Sequence, residues 1–302
     1  MADYYDGWVL AGGVRTHYAW AGTSGPAVVL LHGGGPGSSG AAGWRFMLPA
    51  LAQAGFRVLA PDQLSMGQTD ARPHAWPVLG HQSLVNHVAE FLAALCLDQV
   101  ALVGNSQGAY VAVKLALDHP QHVSKLFLIG SATIADAMGM PRRGPNAGMQ
   151  ALLDYDYSES AMRRFMEAIV HRPAQVSDEL IRARHEMANL PGVRDSRTAF
   201  DAGVQRRRQD AALAGQFSLR DRLPNLATPA IFAWGECDTF APTAMGRELE
   251  TLLPNIPFHF IPEAGHQVQT DQPEIINGMV IDWLRAAPVE VNGRRGGVTT
   301  AA

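Results

Sequence analysis

Apolar residues fall into two alternating rhythms along the first half of this chain. The runs Ala27–Leu31, Phe56–Ala60, Val100–Val103 and Lys125–Ile129 are short and rich in Val, Leu and Ile. Continuous runs of that length predict strands buried on both faces of a parallel sheet. Between them, Trp44–Ala54, His81–Leu95 and Ala109–Leu117 carry apolar residues at helical spacing. Strand-then-helix repetition predicts an α/β fold, a mostly parallel sheet with helices on both faces. Ahead of it, Trp8–Leu10 and Val14–Trp20 alternate around Ala11-Gly12-Gly13, the pattern of an antiparallel edge hairpin. After about residue 135 the rhythm changes, and helical patterns such as Ser160–Val170 and Ser177–Ala188 follow one another without a buried strand. That predicts a helical cap over residues 135–220, inserted between core segments 1–134 and 221–286 and entered through the Pro/Gly/Arg-rich stretch Gly139–Gly148. The core resumes with Ala230–Trp234, then Phe258–Ile261 and a helix at Pro273–Arg285, and residues 287–302 read as a disordered tail.

Composition narrows the class of protein. With 302 residues, 47% apolar and 17% charged, the chain can bury a large core. A net charge of −4 gives no electrostatic footprint for nucleic acid, and the basic clusters Arg206-Arg207-Arg208 and Arg294-Arg295 read as solvated faces. The amino terminus has no basic start followed by an apolar stretch, and no run approaches the ~18 apolar residues of a membrane span. Two cysteines, Cys96 and Cys237, make no disulfide framework. A cytoplasmic enzyme acting on a small molecule is expected, without nucleic-acid or membrane partners, with homodimerisation left open.

The chemistry centres on Gly104-Asn105-Ser106-Gln107-Gly108, where the strand Val100–Val103 gives way at once to a helix. Gly-x-Ser-x-Gly on a strand-to-helix turn is a nucleophile elbow: the glycines leave room for a tight turn that pushes the serine oxygen out at the carboxyl edge of the sheet. A serine needs a base, and the base needs a group to hold its tautomer. Loops after two later strands supply His266 and Asp238, and the order Ser, Asp, His suits this kind of sheet. Glu236 and Asp136 are rival acids. His32-Gly33-Gly34-Gly35-Pro36-Gly37 follows another buried strand; lacking a Gly-Lys-Ser/Thr ending, it reads as an oxyanion loop rather than a phosphate cradle. No His-Glu-x-x-His or comparable spacing appears, so neither a metal nor a cofactor is expected.

These motifs carry a resemblance over nearly the whole chain to the α/β-hydrolases, and more narrowly to the meta-cleavage product hydrolases, serine enzymes that cut a carbon–carbon bond in aromatic ring-fission products. The shared wording is Leu-His-Gly-Gly-Gly-Pro-Gly at 31–37 and Val-Gly-Asn-Ser at 103–106. The resemblance implies oxyanion donors at the backbone N–H groups of Gly34 and Gln107. It also implies substrate contacts at Gly33, Gly35, Asn105 and Arg184, the last in Glu179–Glu186. Departures fall at the pocket: Gln267 stands where the family usually has Trp, Gln107 where it has Met or Leu, and Gly43-Trp44-Arg45-Phe46 where it tends to have Gly-Trp-x-Asn. The implied reaction begins with a dienol becoming a ketone, whose carbonyl is attacked after His266, steered by Asp238, activates Ser106 or a water. An esterase, lactonase or amidase is the alternative on the same scaffold, and a non-catalytic receptor a lesser one.

Overall fold

The computed structural model describes residues 4–141 and 144–287, so the predicted tail beyond Ala287 and part of the predicted cap entrance, Arg142-Arg143, lie outside the described residues. Eight strands form one sheet in the order β1-β2-β4-β3-β5-β6-β7-β8. The edge hairpin is β1 (Tyr5–Ala11) and β2 (Val14–Ala21), paired antiparallel. β2 runs antiparallel to β4 (Arg57–Pro61). From β4 onward, β3 (Ala27–Leu31), β5 (Val100–Asn105), β6 (Val123–Ile129), β7 (Ala230–Gly235) and β8 (Phe258–Ile261) are all parallel.

Side-chain alternation along the strands divides the core between two faces. Val29, Leu31 and Leu102 join one apolar layer with α3 (His81–Ala94) and α4 (Gln107–Asp118). Val28, Leu30 and Val103 join the other with α1 (Gly40–Trp44) and α2 (Met47–Gln53). β5 and β7 are buried along their whole length, as the unbroken apolar runs require. The single helix expected over Trp44–Ala54 is two. An uninterrupted helix would need a hydrogen bond from residue 49 to the carbonyl of residue 45, and Pro49 has no N–H to give. The chain restarts at Met47, which places Pro49 in a first turn, where it is tolerated.

Between β6 and β7 the described residues hold six α-helices and no strand: α5 (Ala132–Ala137), α6 (Ala147–Leu153), α7 (Glu159–Ile169), α8 (Asp178–Ala188), α9 (Val193–Gln209) and α10 (Ala211–Phe217). α5 straddles the division expected at 134/135. Ser158 and Ser177 cap α7 and α8 by accepting hydrogen bonds from the backbone N–H groups of Ala161 and Leu180, which fixes where each helix starts. α7 and α8 close on their own apolar cluster of Met162, Phe165, Met166, Ile169, Leu180 and Ile181. Tyr110 on α4 donates to the Phe217 carbonyl at 3.1 Å and ties α10 down. After β7 come α11 (Thr243–Leu252), α12 (Val268–Asp271) and α13 (Pro273–Arg285). No helix is long and apolar enough to cross a membrane among the described residues.

Candidate active site

Ser106 occupies the turn between β5 and α4 with φ 56° and ψ −118°, a left-handed conformation that costs a non-glycine residue of order 1–3 kcal/mol. The surroundings over-determine it. Its N–H donates to the carbonyls of Ile129 (2.9 Å) and Gly130 (3.1 Å), and its carbonyl accepts from Ser131 Oγ at 2.6 Å. The flanking glycines are steric necessities: a Cβ on Gly108 would lie 2.0 Å from the Leu31 carbonyl oxygen, and one on Gly104 2.5 Å from that of Gly108. Ser106 makes no side-chain capping bond to α4, so its hydroxyl faces a cavity of about 130 Å³ shared with His266, Gly34, Gln107, Phe165 and Arg184.

His266 follows β8, and its Nδ1 lies 2.8 Å from Asp238 Oδ2. A carboxylate oxygen can only accept, so Nδ1 donates and Nε2 is left as the basic nitrogen. The other Asp238 oxygen accepts from the N–H groups of Phe240 (2.8 Å) and Ala241 (2.7 Å), which locks the carboxylate. The Phe240 ring packs on the imidazole at 4.8 Å between centroids. The rival acid Asp136 is engaged elsewhere, 3.1 Å from Arg207 Nη2. Asp271, wholly buried, accepts from the N–H groups of Gly265, His171 and Arg172 and so bolts the His266 loop to the segment after α7. Asn105 lines the cavity, but its Nδ2 donates to the His266 carbonyl at 3.2 Å, so this side chain fixes the loop.

The glycine loop is held from below by a histidine of fixed tautomer. The Gln63 N–H donates to His32 Nε2 at 3.1 Å, so Nδ1 carries the proton and donates to the Gly33 carbonyl at 2.8 Å. Burial pushes the His32 pKa down, which preserves that neutral form. In a trans peptide the N–H points opposite to the C=O, so anchoring the Gly33 carbonyl directs the Gly34 N–H the other way. With the Gln107 N–H at the start of α4, these are the two amides expected to face a developing oxyanion, aided by the positive end of the helix dipole.

Two arginines of the helical segment grip the same loop from above. Arg184 on α8 is 1% exposed, and its Nη2 donates to the Pro36 carbonyl (2.6 Å) and Ser38 Oγ (3.1 Å). The backbone comes equally close: a Cβ on Gly37, at φ 62°, would lie 1.9 Å from the Arg184 carbonyl oxygen. Burial lowers the Arg184 pKa to about 10, which still leaves it charged at neutral pH. Its Nε has no hydrogen-bond partner, and no ion pair is recorded for it among the described residues. A buried, unpaired cation of this kind costs several kcal/mol unless an anion joins it. Arg197 on α9, which no sequence signal singled out, donates from Nη1 to the Gly34 carbonyl at 2.8 Å. Gly33, Gly35 and Gln267 also line the cavity. No cluster of His, Cys, Asp and Glu suited to a metal occurs among the described residues.

Residues 26–273 match the family model of the alpha/beta hydrolase fold. The chain belongs to the α/β-hydrolase family. Within it the chain is 34% identical over 281 residues to a 2-hydroxy-6-oxononadienedioate/2-hydroxy-6-oxononatrienedioate hydrolase of Paraburkholderia xenovorans, covering 90% of this chain and 91% of that one. It is 32% identical over 278 residues to a 2-hydroxy-6-oxo-2,4-heptadienoate hydrolase of Pseudomonas putida, covering 92% and 95%. Among solved structures, the meta-cleavage product hydrolase CumD of Pseudomonas fluorescens superposes with a TM-score of 0.76 at 28% identity, covering 92% and 97%. The 2-hydroxy-6-oxo-6-phenylhexa-2,4-dienoate hydrolase BphD of a Rhodococcus species gives 0.80 at 25%, covering 95% and 100%. The chain is thus an α/β-hydrolase enzyme resembling the meta-cleavage product hydrolases, as its motifs suggested.

Proposed function

We propose that this α/β-hydrolase is a cytoplasmic serine hydrolase that cleaves the carbon–carbon bond next to the C6 carbonyl of a 2-hydroxy-6-oxo-dienoate ring-fission product. The observation that carries this reading is Arg184. A charged guanidinium, buried without a carboxylate partner and lining the same cavity as Ser106 and His266, suits a substrate that brings its own carboxylate. A neutral ester would leave that charge unmet. The likeness to dienoate hydrolases supports the same choice of substrate.

In this reading Arg184 takes the C1 carboxylate. The dienol becomes a ketone by protonation at C5, which makes C5 a leaving group able to accept the bonding electrons. Ser106 Oγ attacks C6 as His266 Nε2 takes its proton, and the carbonyl oxygen gathers charge opposite the Gly34 and Gln107 N–H groups. When the C5–C6 bond breaks, its electrons return to the dienoate fragment, which leaves as the dienol after taking the proton held on His266 Nε2, and the acyl group stays on Ser106. Water activated by His266 then releases it. The sum is substrate plus one water giving a 2-hydroxydienoate and a carboxylic acid.

The test follows the visible absorption of the dienolate. The purified enzyme is expected to bleach a 2-hydroxy-6-oxo-dienoate, and Ser106→Ala is expected to lose roughly three or more decades in kcat while keeping its fold. Ready cleavage of esters with no bleaching of any dienoate would overturn the carbon–carbon reading. A folded Ser106→Ala within tenfold of wild type would remove Ser106 from the mechanism.

A further inference from the structure

The mechanism above uses only the backbone N–H of Gln107, yet its side chain also stands at the reacting centre. Gln107 is 5% exposed and lines the catalytic cavity with Ser106, Gly34 and His266. A Cβ on Gly34 would lie 2.6 Å from Gln107 Oε1, 2.9 Å from its Cδ and 3.1 Å from its Nε2, so the amide rests against the Gly34 Cα. A Cβ on Gly33 would lie 3.3 Å from the Ser106 Cβ. The Cα atoms of these two glycines are about 3.8 Å apart, as across any trans peptide. The nucleophile and the amide therefore flank a single peptide unit, the one that carries the Gly34 N–H.

The amide is not satisfied by the protein. Gln107 Nε2 is buried without a hydrogen-bond partner, and a buried donor left unmet is destabilising. Behind the amide lies a second cavity of about 340 Å³, and Gln107 stands in the wall between the two. That cavity is largely apolar, lined by Met140, Met149, Phe200, Phe240 and Met245, and its acids Asp136 and Asp201 are paired with Arg207 and Arg197. The acceptor that suits Nε2 is thus one that arrives on the Ser106 side.

Resting on the serine mechanism proposed above, we infer that the Gln107 side chain is catalytic: Nε2 donates a third hydrogen bond to the C6 oxygen, beside the N–H groups of Gly34 and of Gln107 itself. As Ser106 Oγ adds to C6, the carbonyl π pair moves onto oxygen and the bond from the amide strengthens with the charge. When the C5–C6 bond breaks, that pair re-forms the carbonyl and the bond weakens again, with no proton passing to or from the amide. Because the charge exists only in the adduct, the contribution falls on kcat rather than on KM. The same contact explains the bare Gly34, where any Cβ would displace the amide.

The experiment uses purified wild type, Gln107→Met and Gln107→Glu, all of which keep the backbone N–H. Each is assayed on a 2-hydroxy-6-oxo-dienoate and on a p-nitrophenyl ester, since both pass through an oxyanion on Ser106. Gln107→Met should lower kcat by about tenfold to a hundredfold on both, with KM changed less than about threefold, and Gln107→Glu should fall further because a carboxylate would face the oxyanion. Inhibition by a trifluoromethyl ketone, which adds to Ser106, should weaken by the same factor in Gln107→Met. Inhibition by its methyl ketone counterpart, bound without addition, should stay within about threefold. A folded Gln107→Met with kcat within about twofold of wild type, or with equal losses of affinity for the two ketones, would overturn the inference. The full pattern on the ester with no dienoate bleached would uphold it while removing the carbon–carbon reading.

Discussion

The floor and the roof of the cavity are built on different principles. The floor is the carboxyl edge of the sheet, where Ser106, Asp238 and His266 sit on turns fixed by backbone hydrogen bonds from adjoining strands. Its atoms are held by backbone groups that cannot move without breaking the sheet. The roof is α7 to α9: α7 and α8 share a small apolar cluster of their own, Arg184 of α8 and Arg197 of α9 hold the glycine loop, and Phe200 of α9 packs into the core beneath. Reaction chemistry needs the first kind of precision. Discrimination between substrates can be carried by the second, because Arg184 and Arg197 line the cavity a substrate would enter.

That contrast is open to direct attack. The largest expected effect lies in the floor: Asp238→Asn should lower kcat by about two to four decades, since the amide no longer enforces the tautomer that leaves Nε2 basic, while Asp136→Asn should change it less than about tenfold. Steady-state bleaching of a dienoate checks the ranking, and the reverse order would transfer the acid's role to Asp136. Next comes the roof. Arg184→Gln should reduce kcat/KM on a dienoate by about a hundredfold or more, yet alter hydrolysis of an uncharged p-nitrophenyl ester by less than about tenfold. Equal losses on both substrates would mean that Arg184 acts by holding the loop and not by binding the anion.

The smallest effect probes the seam between the two. His81 on α3 is half-buried, its ring packed against Tyr110 of the core, Phe200 of the roof and Phe217 of α10. Burial first, and then Arg207 and Arg197, depress its pKa to about 3. A histidine depressed in the folded state binds its proton more readily when unfolded, so its contribution to stability is complete above pH ~6.5 and is lost as pH falls from there towards 3. Between pH 7 and 5 the loss should be about 2 kcal/mol from this residue, read as a drop in the urea midpoint. His81→Phe should flatten that dependence. Buried His87, whose pKa is lowered to about 4, adds its own slope equally to both proteins. An unchanged slope in His81→Phe would place the acid sensitivity elsewhere.

Residue by residue, legibility followed distance along the chain. The elbow, the glycine loop and the buried strands were readable because each is a local requirement: Gly104 and Gly108 stand within four residues of the backbone turn that needs them, and β5 announces itself in consecutive apolar positions. The break at Arg45-Phe46 was missed although Pro49 signalled it, since helical spacing on both sides masked the lost hydrogen bond. Arg197 gave no signal at all. It is one of several arginines on a polar helix, and only the folding of α9 over the loop brings it to Gly34, 163 residues away in sequence.

The order of strands and helices, the serine turn and the glycine loop were thus determined by the sequence alone, because backbone sterics and apolar periodicity act over a few residues. Tertiary structure decided the rest. It set Asp238 against His266 and Asp136 against Arg207, and it buried Arg184 without an acid. It also carved the second cavity beside Gln107 and Arg197. Those outcomes depend on which charges meet when distant segments pack, and charge pairing has no period that a chain read in order could reveal.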